Sequence, residues 1–159
     1  MNDNLQDNQD NPGVIAPPPL IFAGPLAVGL LLHRFFPKKF LPRWIGIMLG
    51  SLSIISGAML IRGGFREMLA AKTNVNPTLP ATTIVTGGPY GYTRNPLYTG
   101  MTLLYAGITF VANAFWAMLL LPVVLLVMVY GVIKREERYL ERKFGEQYLN
   151  YKARVRRWF

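Results

Sequence analysis

The chain has 159 residues, of which 52% are hydrophobic, with a mean hydropathy of +0.26 and a formal net charge of +9. That length favours a single domain, and that hydropathy is high for a soluble protein. There is no cysteine and one histidine, His33, which excludes disulfides, thiolate metal ligands and cysteine nucleophiles and leaves no basis for a histidine metal site or a catalytic triad. The positive charge does not mark a nucleic-acid binder. Nine of the seventeen Lys and Arg lie in 134–159, directly after an apolar run, the placement of a tail facing anionic lipid.

Residues 1–19 are polar, acidic and proline-rich, with Asp3, Asp7, Asp10 and Pro17-Pro18-Pro19. They lack the basic start of a signal peptide and read as a disordered arm. Leu20–Phe36 is the first apolar span, and the turn Pro37 to Arg43 leads to a second at Trp44–Ile61. These two form a transmembrane hairpin over 20–61. Trp44 suits the interfacial belt, and Gly46, Gly50 and Gly57 with Ser53 supply small-residue rows for close helix packing. Residues 62–96 are too polar to span, with a short amphipathic helix around Phe65, Met68 and Leu69.

A third span covers 97–112. Asn113-Ala114 is a tight turn, and a fourth span runs over 115–133 with Pro122 inside it. Spans three and four make a second hairpin, 97–133, inside a core of 62–159. In the last segment Ile133, Glu137, Leu140, Phe144, Tyr148, Tyr151 and Val155 recur at helical spacing, with Gly145 as a weak point. The architecture expected is an all-α integral membrane protein of about four transmembrane helices with a C-terminal amphipathic cytosolic helix. Thirteen Lys and Arg in 62–96 and 134–159, against four in 33–43, put both termini and the 62–96 hinge in the cytoplasm. A shallow or re-entrant first hairpin is the alternative.

The chemistry concentrates in Gly87-Gly88-Pro89-Tyr90-Gly91-Tyr92-Thr93-Arg94-Asn95-Pro96-Leu97-Tyr98. Asn95 suits a helix N-cap, with Pro96 at the first helical position. Aromatic hydroxyls, a guanidinium and an amide are thus gathered at a helix N-terminus, which favours anionic groups. The second polar cluster is Glu136-Glu137, and the two clusters bracket one membrane hairpin. The bland reading is that Glu136 and Glu137 belong to a solvated charge pattern with Lys134, Arg135 and Arg138, and that the tyrosines are interfacial anchors.

Taken in order, Thr82-Thr83-Ile84-Val85, Gly87-Gly88-Pro89-Tyr90, Arg94-Asn95-Pro96-Leu97-Tyr98, Glu136-Glu137 and Phe144-Gly145-Glu146-Gln147-Tyr148, with Tyr151 and Arg154-Val155, resemble the isoprenylcysteine carboxyl methyltransferases. Their wider group includes membrane phospholipid N-methyltransferases. The resemblance covers about residues 60–157. It implies a helical membrane enzyme that uses S-adenosylmethionine, with cofactor contacts on Thr82, Thr83, Ile84, Val85, Tyr90, Asn95, Pro96, Leu97, Tyr98 and Glu136. The family's usual histidine before the proline is Asn95 here, which keeps hydrogen bonding but not acid–base chemistry. The arginine one turn before the glutamate is Val132 here; the nearest cations are Lys134 and Arg135.

The expected function is S-adenosylmethionine-dependent methyl transfer to a lipophilic or lipid-linked acceptor that enters from the bilayer. Arg94 is matched to the methionyl carboxylate, Tyr90 and Tyr98 to the cation or adenine, and Glu136 or Glu137 to the ribose hydroxyls or ammonium. Arg94, Asn95, Lys134 and Arg135 are the positioning candidates, and no metal is expected. The setting expected is a multi-pass protein of a bacterial inner membrane with its cofactor site on the cytoplasmic side. The alternatives are a phospholipid or small-amine N-methyltransferase, a reductase relative, for which the chain lacks a dinucleotide fingerprint, and a non-catalytic membrane scaffold built on the basic C-terminal helix.

Overall fold

The computed structural model describes residues 10–158, and among them every regular element is helical. Helix α1 spans Pro18–Phe35 and α2 spans Arg43–Ala70. A 3₁₀ turn at Gly88–Gly91 precedes α3, Pro96–Ala112. Helix α4, Phe115–Met128, passes through a π turn at Val129–Ile133 and continues as α5, Lys134–Phe144. Gly145, with φ of 51°, turns the chain into α6, Glu146–Arg154. Helices α1, α2 and the continuous Phe115–Phe144 are long and apolar enough to cross a membrane, whereas α3 is a shorter apolar helix. The chain is an all-α integral membrane protein.

Helix α2 lies chiefly along α3, and α1 chiefly along α4 with a smaller contact to α3. The first two helices therefore flank the 97–133 pair rather than pairing with each other. The α2–α3 seam is built on glycine. Gly46 faces the Phe110 carbonyl, Gly50 faces Gly107, Gly57 faces Gly100, and Gly64 faces the Leu97 side chain. A Cβ on Gly57 would lie 2.7 Å from the Gly100 carbonyl oxygen, and one on Gly107 would lie 2.9 Å from the Gly50 oxygen. Neither backbone could stay where it is with a larger residue there, so the small-residue stripe is what permits the approach.

The two seam helices differ in length. Helix α2 has 28 residues and α3 has 17, or about 42 Å against about 26 Å at 1.5 Å per residue. A hydrocarbon core of ~30 Å is overshot by one and undershot by the other. The surplus of α2 is the stretch 62–70, expected from sequence to be a separate amphipathic helix but continuous with the span. Its polar side chains do not break it, because the helix is packed here. Gly64 meets Leu97, Gly63 meets Pro89, and Glu67 lies against Gly87 and Gly88. Gly88 adopts φ of 54°, a conformation a glycine reaches without strain. The end of α2 thus becomes a wall for the hinge that leads into α3.

At the opposite end the two turns are stitched together. Asn113 adopts φ of 51°, which Asn tolerates better than most residues. Its side-chain oxygen accepts from the backbone N–H groups of Phe40 and Leu41 at 3.0 and 3.1 Å, and its amide donates to the Leu41 carbonyl at 2.6 Å. Trp116 Nε1 donates to the Phe36 carbonyl. The 36–41 turn and the 113–116 turn therefore share one end, and the hinge, α5 and α6 share the other.

The expected disordered arm, 1–19, is only partly within view, since its first nine residues lie outside the described residues. From Asp10 the chain is docked on the α4–α5 helix. Ile15 N–H donates to the Gly131 carbonyl in the π turn at 3.2 Å, and a side chain on Gly131 would collide with Ile15. Arg135 donates to the Gly13 carbonyl at 2.8 Å.

Gly57→Ala is expected to cost about 1–3 kcal/mol through backbone collision in the seam. Gly24→Ala, where a Cβ meets nothing within 4 Å, is expected to change stability by no more than about 0.5 kcal/mol. Thermal unfolding of the two variants in detergent makes the comparison.

Candidate functional site

Between the end of α2, the 73–85 loop, the hinge, α5 and α6 lies a cleft with a cavity volume of about 140 Å³. Thr83, Ile84, Val85, Tyr90, Arg94, Asn95, Pro96, Leu97, Tyr98, Glu136 and Glu137 all line it. Those residues come from both sides of the 97–133 hairpin, so the two polar clusters fold back together. Three of the residues singled out from sequence lie elsewhere. The Thr82 hydroxyl donates to the Lys72 carbonyl at 3.0 Å, Lys134 Nζ sits 4.1 Å from the centre of the Tyr130 ring, and Arg135 holds the Gly13 carbonyl. Tyr92 is exposed.

The paired glutamates have separate partners. The Tyr98 hydroxyl donates to Glu136 at 2.6 Å. Glu136 lies in the charged stretch that follows the apolar run 115–133. Removal from water raises its carboxyl to about 7, with the Tyr98 hydrogen bond opposing and neighbouring Glu137 adding to the rise. Glu137 is buried and takes two bonds from Arg157, at 2.9 and 2.6 Å. Arg94 approaches Glu137 from the other side, with Nη2 3.3 Å from Oε1. The question of which glutamate faces inward thus has a double answer: both do, one neutralised by cations and the other held by a phenol.

Arg94 is the most telling side chain in the cleft. It is 9% exposed; the Tyr148 phenol lies against its guanidinium, and its Nε and Nη1 are buried without a well-aligned hydrogen bond among the described residues. Buried donors are nearly always satisfied, and a guanidinium edge without a partner beside a cleft is suited to a carboxylate or phosphate.

Asn95 occupies the N-cap position, but its side chain makes no capping bond. It donates instead to the Arg157 carbonyl at 3.0 Å. The Thr93 hydroxyl donates to the same carbonyl at 3.0 Å, and Arg94 N–H donates to the Arg156 carbonyl at 2.9 Å. The expected cap fails because the tail after α6 offers this amide a buried partner.

Tyr148 and Tyr151, expected from periodicity to share one helical face, both line the cleft together with Met68, Tyr139, Leu140 and the 73–79 loop. Tyr151 OH donates to the Tyr90 carbonyl at 2.8 Å. Burial raises the phenols of Tyr90, Tyr148 and Tyr151 above the usual range, so they act as neutral hydrogen-bonding groups. The signal for the two tyrosines was the helical face that also carries Glu137. For the 73–79 loop and Arg157 the sequence held no comparable signal. Tyr139 ties three segments: it accepts from Ala81 N–H at 3.1 Å and donates to Asp10 at 2.8 Å, and Lys143 pairs with Asp10 beside it.

The phospholipid methyltransferase family model matches residues 45–147, which contain the seam, the hinge and both glutamates. The chain belongs to the phospholipid methyltransferase family. A relative in Schizosaccharomyces pombe, named protein-S-isoprenylcysteine O-methyltransferase, is 34% identical over 101 residues, covering 63% of this chain and 41% of that protein. The chain therefore spans less than half the length of that relative. An uncharacterized protein of Haemophilus influenzae is 50% identical over 40 residues, covering 24% of this chain and 64% of that one. No solved structure matches the chain.

In this phospholipid methyltransferase family member, Tyr98→Phe removes the hydrogen bond that favours the charged form of Glu136. The carboxyl is expected to titrate above the wild-type value of about 7, read from its infrared carbonyl band across a pH series.

Proposed function

We propose that the chain is a membrane methyltransferase that takes its methyl group from S-adenosylmethionine and delivers it to a lipophilic acceptor arriving from the bilayer. The observation that carries this reading is the pairing, in one cleft, of unpartnered guanidinium N–H groups on Arg94 with the Glu136 carboxyl held by Tyr98. One pole suits a carboxylate and the other suits a cation, as the zwitterionic end of that donor requires. Family membership and the name of the Schizosaccharomyces pombe relative support the reaction class.

In this reading Arg94 holds the methionyl carboxylate through its unpartnered N–H groups. Glu136 receives the ammonium or the ribose hydroxyls, and Tyr98 orients it. Thr83, Ile84, Val85, Pro96 and Leu97 form the adenine-side walls, with Tyr90 and Tyr98 offering aromatic faces. When bound, the donor supplies an electrophilic methyl group on a sulfonium for in-line displacement. The chain contributes position and water exclusion, which are the main sources of rate in such a transfer. Asn95, engaged with the Arg157 carbonyl, holds the hinge and takes no proton. Lys134 and Arg135 stay outside the cleft and serve lipid headgroups or the 10–15 segment.

The acceptor is an isoprenylcysteine-like carboxylate or, as the alternative, a phospholipid or other lipophilic amine. The position that carries an arginine in the carboxyl methyltransferases is Val132, fully buried in the apolar core, and this favours the amine. The cleft faces the cytoplasm of a bacterial inner membrane, on the side carrying thirteen of the Lys and Arg.

Transfer of a labelled methyl group into a total lipid extract, followed by mass spectrometry, tests the reaction and identifies the acceptor. Its absence with every extract fraction counts against transfer. The donor site has its own test. Below pH 7 Glu136 is mostly protonated and neutral. As the pH rises through about 7 the cleft gains a negative charge, so the cationic donor is expected to bind more tightly. Calorimetric titration across that range checks the trend, and Glu136→Gln is expected to abolish it.

A further inference from the structure

We propose that Arg157 is a positioning residue: by occupying both oxygens of Glu137 it leaves N–H groups of the Arg94 guanidinium available to an anionic ligand group. The inference rests on the donor-binding reading above and concerns how its carboxylate pole is kept open.

The three charges are arranged unequally. Arg157 makes a two-bond fork to Glu137, with Nε to Oε1 at 2.9 Å and Nη2 to Oε2 at 2.6 Å. Arg94 has only a single approach, at 3.3 Å and from Nη2 alone. Arg94 and Glu137 are equally secluded, each with a side chain 9% exposed, and a carboxylate facing a lone guanidinium in such a place takes both available N–H directions. Were Arg157 absent, the favourable geometry would be a fork between Arg94 and Glu137, which consumes a donor now unpaired. With Arg157 present, one carboxylate faces two guanidiniums, and the cluster retains a net positive charge directed at the cleft. An anion that enters completes the hydrogen bonding of Arg94.

The position of Arg157 does not depend on its own side chain. Its carbonyl accepts from Thr93 and Asn95, the Arg156 carbonyl accepts from Arg94 N–H, and Trp158 packs on the apolar core. These bonds fasten the tail to the hinge through the backbone. A variant that shortens or neutralises the guanidinium therefore leaves the tail docked.

The experiment is calorimetric titration of the full chain in nanodiscs with two probes. S-adenosylhomocysteine carries the amino-acid carboxylate, and methylthioadenosine has the same nucleoside and a thioether without it. Arg157→Gln is expected to weaken S-adenosylhomocysteine by about 10- to 100-fold, the range for a lost charged hydrogen bond, and to leave methylthioadenosine unchanged. Arg157→Lys, which keeps the charge but cannot fork, is expected to fall between. In an Arg94→Gln background, Arg157→Gln is expected to add nothing, because the residue acts through Arg94. Equal weakening of both probes in the Gln and Lys variants, additive losses in the double variant, or an unchanged Arg157→Gln each overturns the proposal while leaving the donor reading intact. A wild-type chain that binds neither probe overturns the donor reading and this inference with it.

Discussion

Two helices of unequal length share one glycine seam, and the rest of the molecule follows from that mismatch. Close approach along Gly46, Gly50, Gly57 and Gly64 locks α2 and α3 side by side, and contact of this kind supplies much of helix association where burial from water does not. Because α3 is too short to cross the hydrocarbon alone, its N-terminus and the hinge before it lie at or within the interface. Because α2 is long, it reaches past that level and supplies a wall. The cleft forms in the step between the two ends.

The cleft then solves an electrostatic problem that two adjacent glutamates create. Side by side near a membrane, two carboxylates cannot both be charged and unpaired without a large desolvation cost. Here Glu137 is taken by Arg94 and Arg157, while Glu136 faces Tyr98 and titrates near neutrality. One acid is paired with two guanidiniums; its neighbour accepts a hydrogen bond from a phenol. The same pairing leaves Arg94 with donors to offer.

Three distant parts of the chain converge on this end of the molecule. Residues 10–15 lie over α5 through Asp10, Gly13 and Ile15; the 73–85 loop is pinned by Tyr139; and the tail after α6 is bonded to residues 93–95. Apart from the side-chain pairing of Asp10 with Tyr139 and Lys143, these contacts use backbone carbonyls or N–H groups of the loops. The arrangement encloses the cleft that Arg94, Glu136 and Glu137 line.

Much of this was legible in the residues. The apolar runs, the small-residue stripe on α2, the Asn95-Pro96 start of α3 and the Glu137–Tyr148–Tyr151 face all express local periodicity or turn chemistry, which is written in neighbouring positions. The helix was expected to end with the span at Ile61 because the polarity of 62–70 looks like an exit from the helix, whereas tertiary contact through Gly63 and Gly64 lets α2 continue to Ala70. The shared face of Tyr148 and Tyr151 was legible, but not its place in the cleft, because periodicity reports that a face is covered, not by what. By itself the sequence determined that this is a helical membrane protein with two polar clusters around a hairpin. Only the tertiary structure decided which partner each charged group takes. The contest of Arg94 and Arg157 for Glu137 is settled by distances between segments twenty positions apart or brought in from opposite sides of the hairpin, and no local pattern encodes those distances.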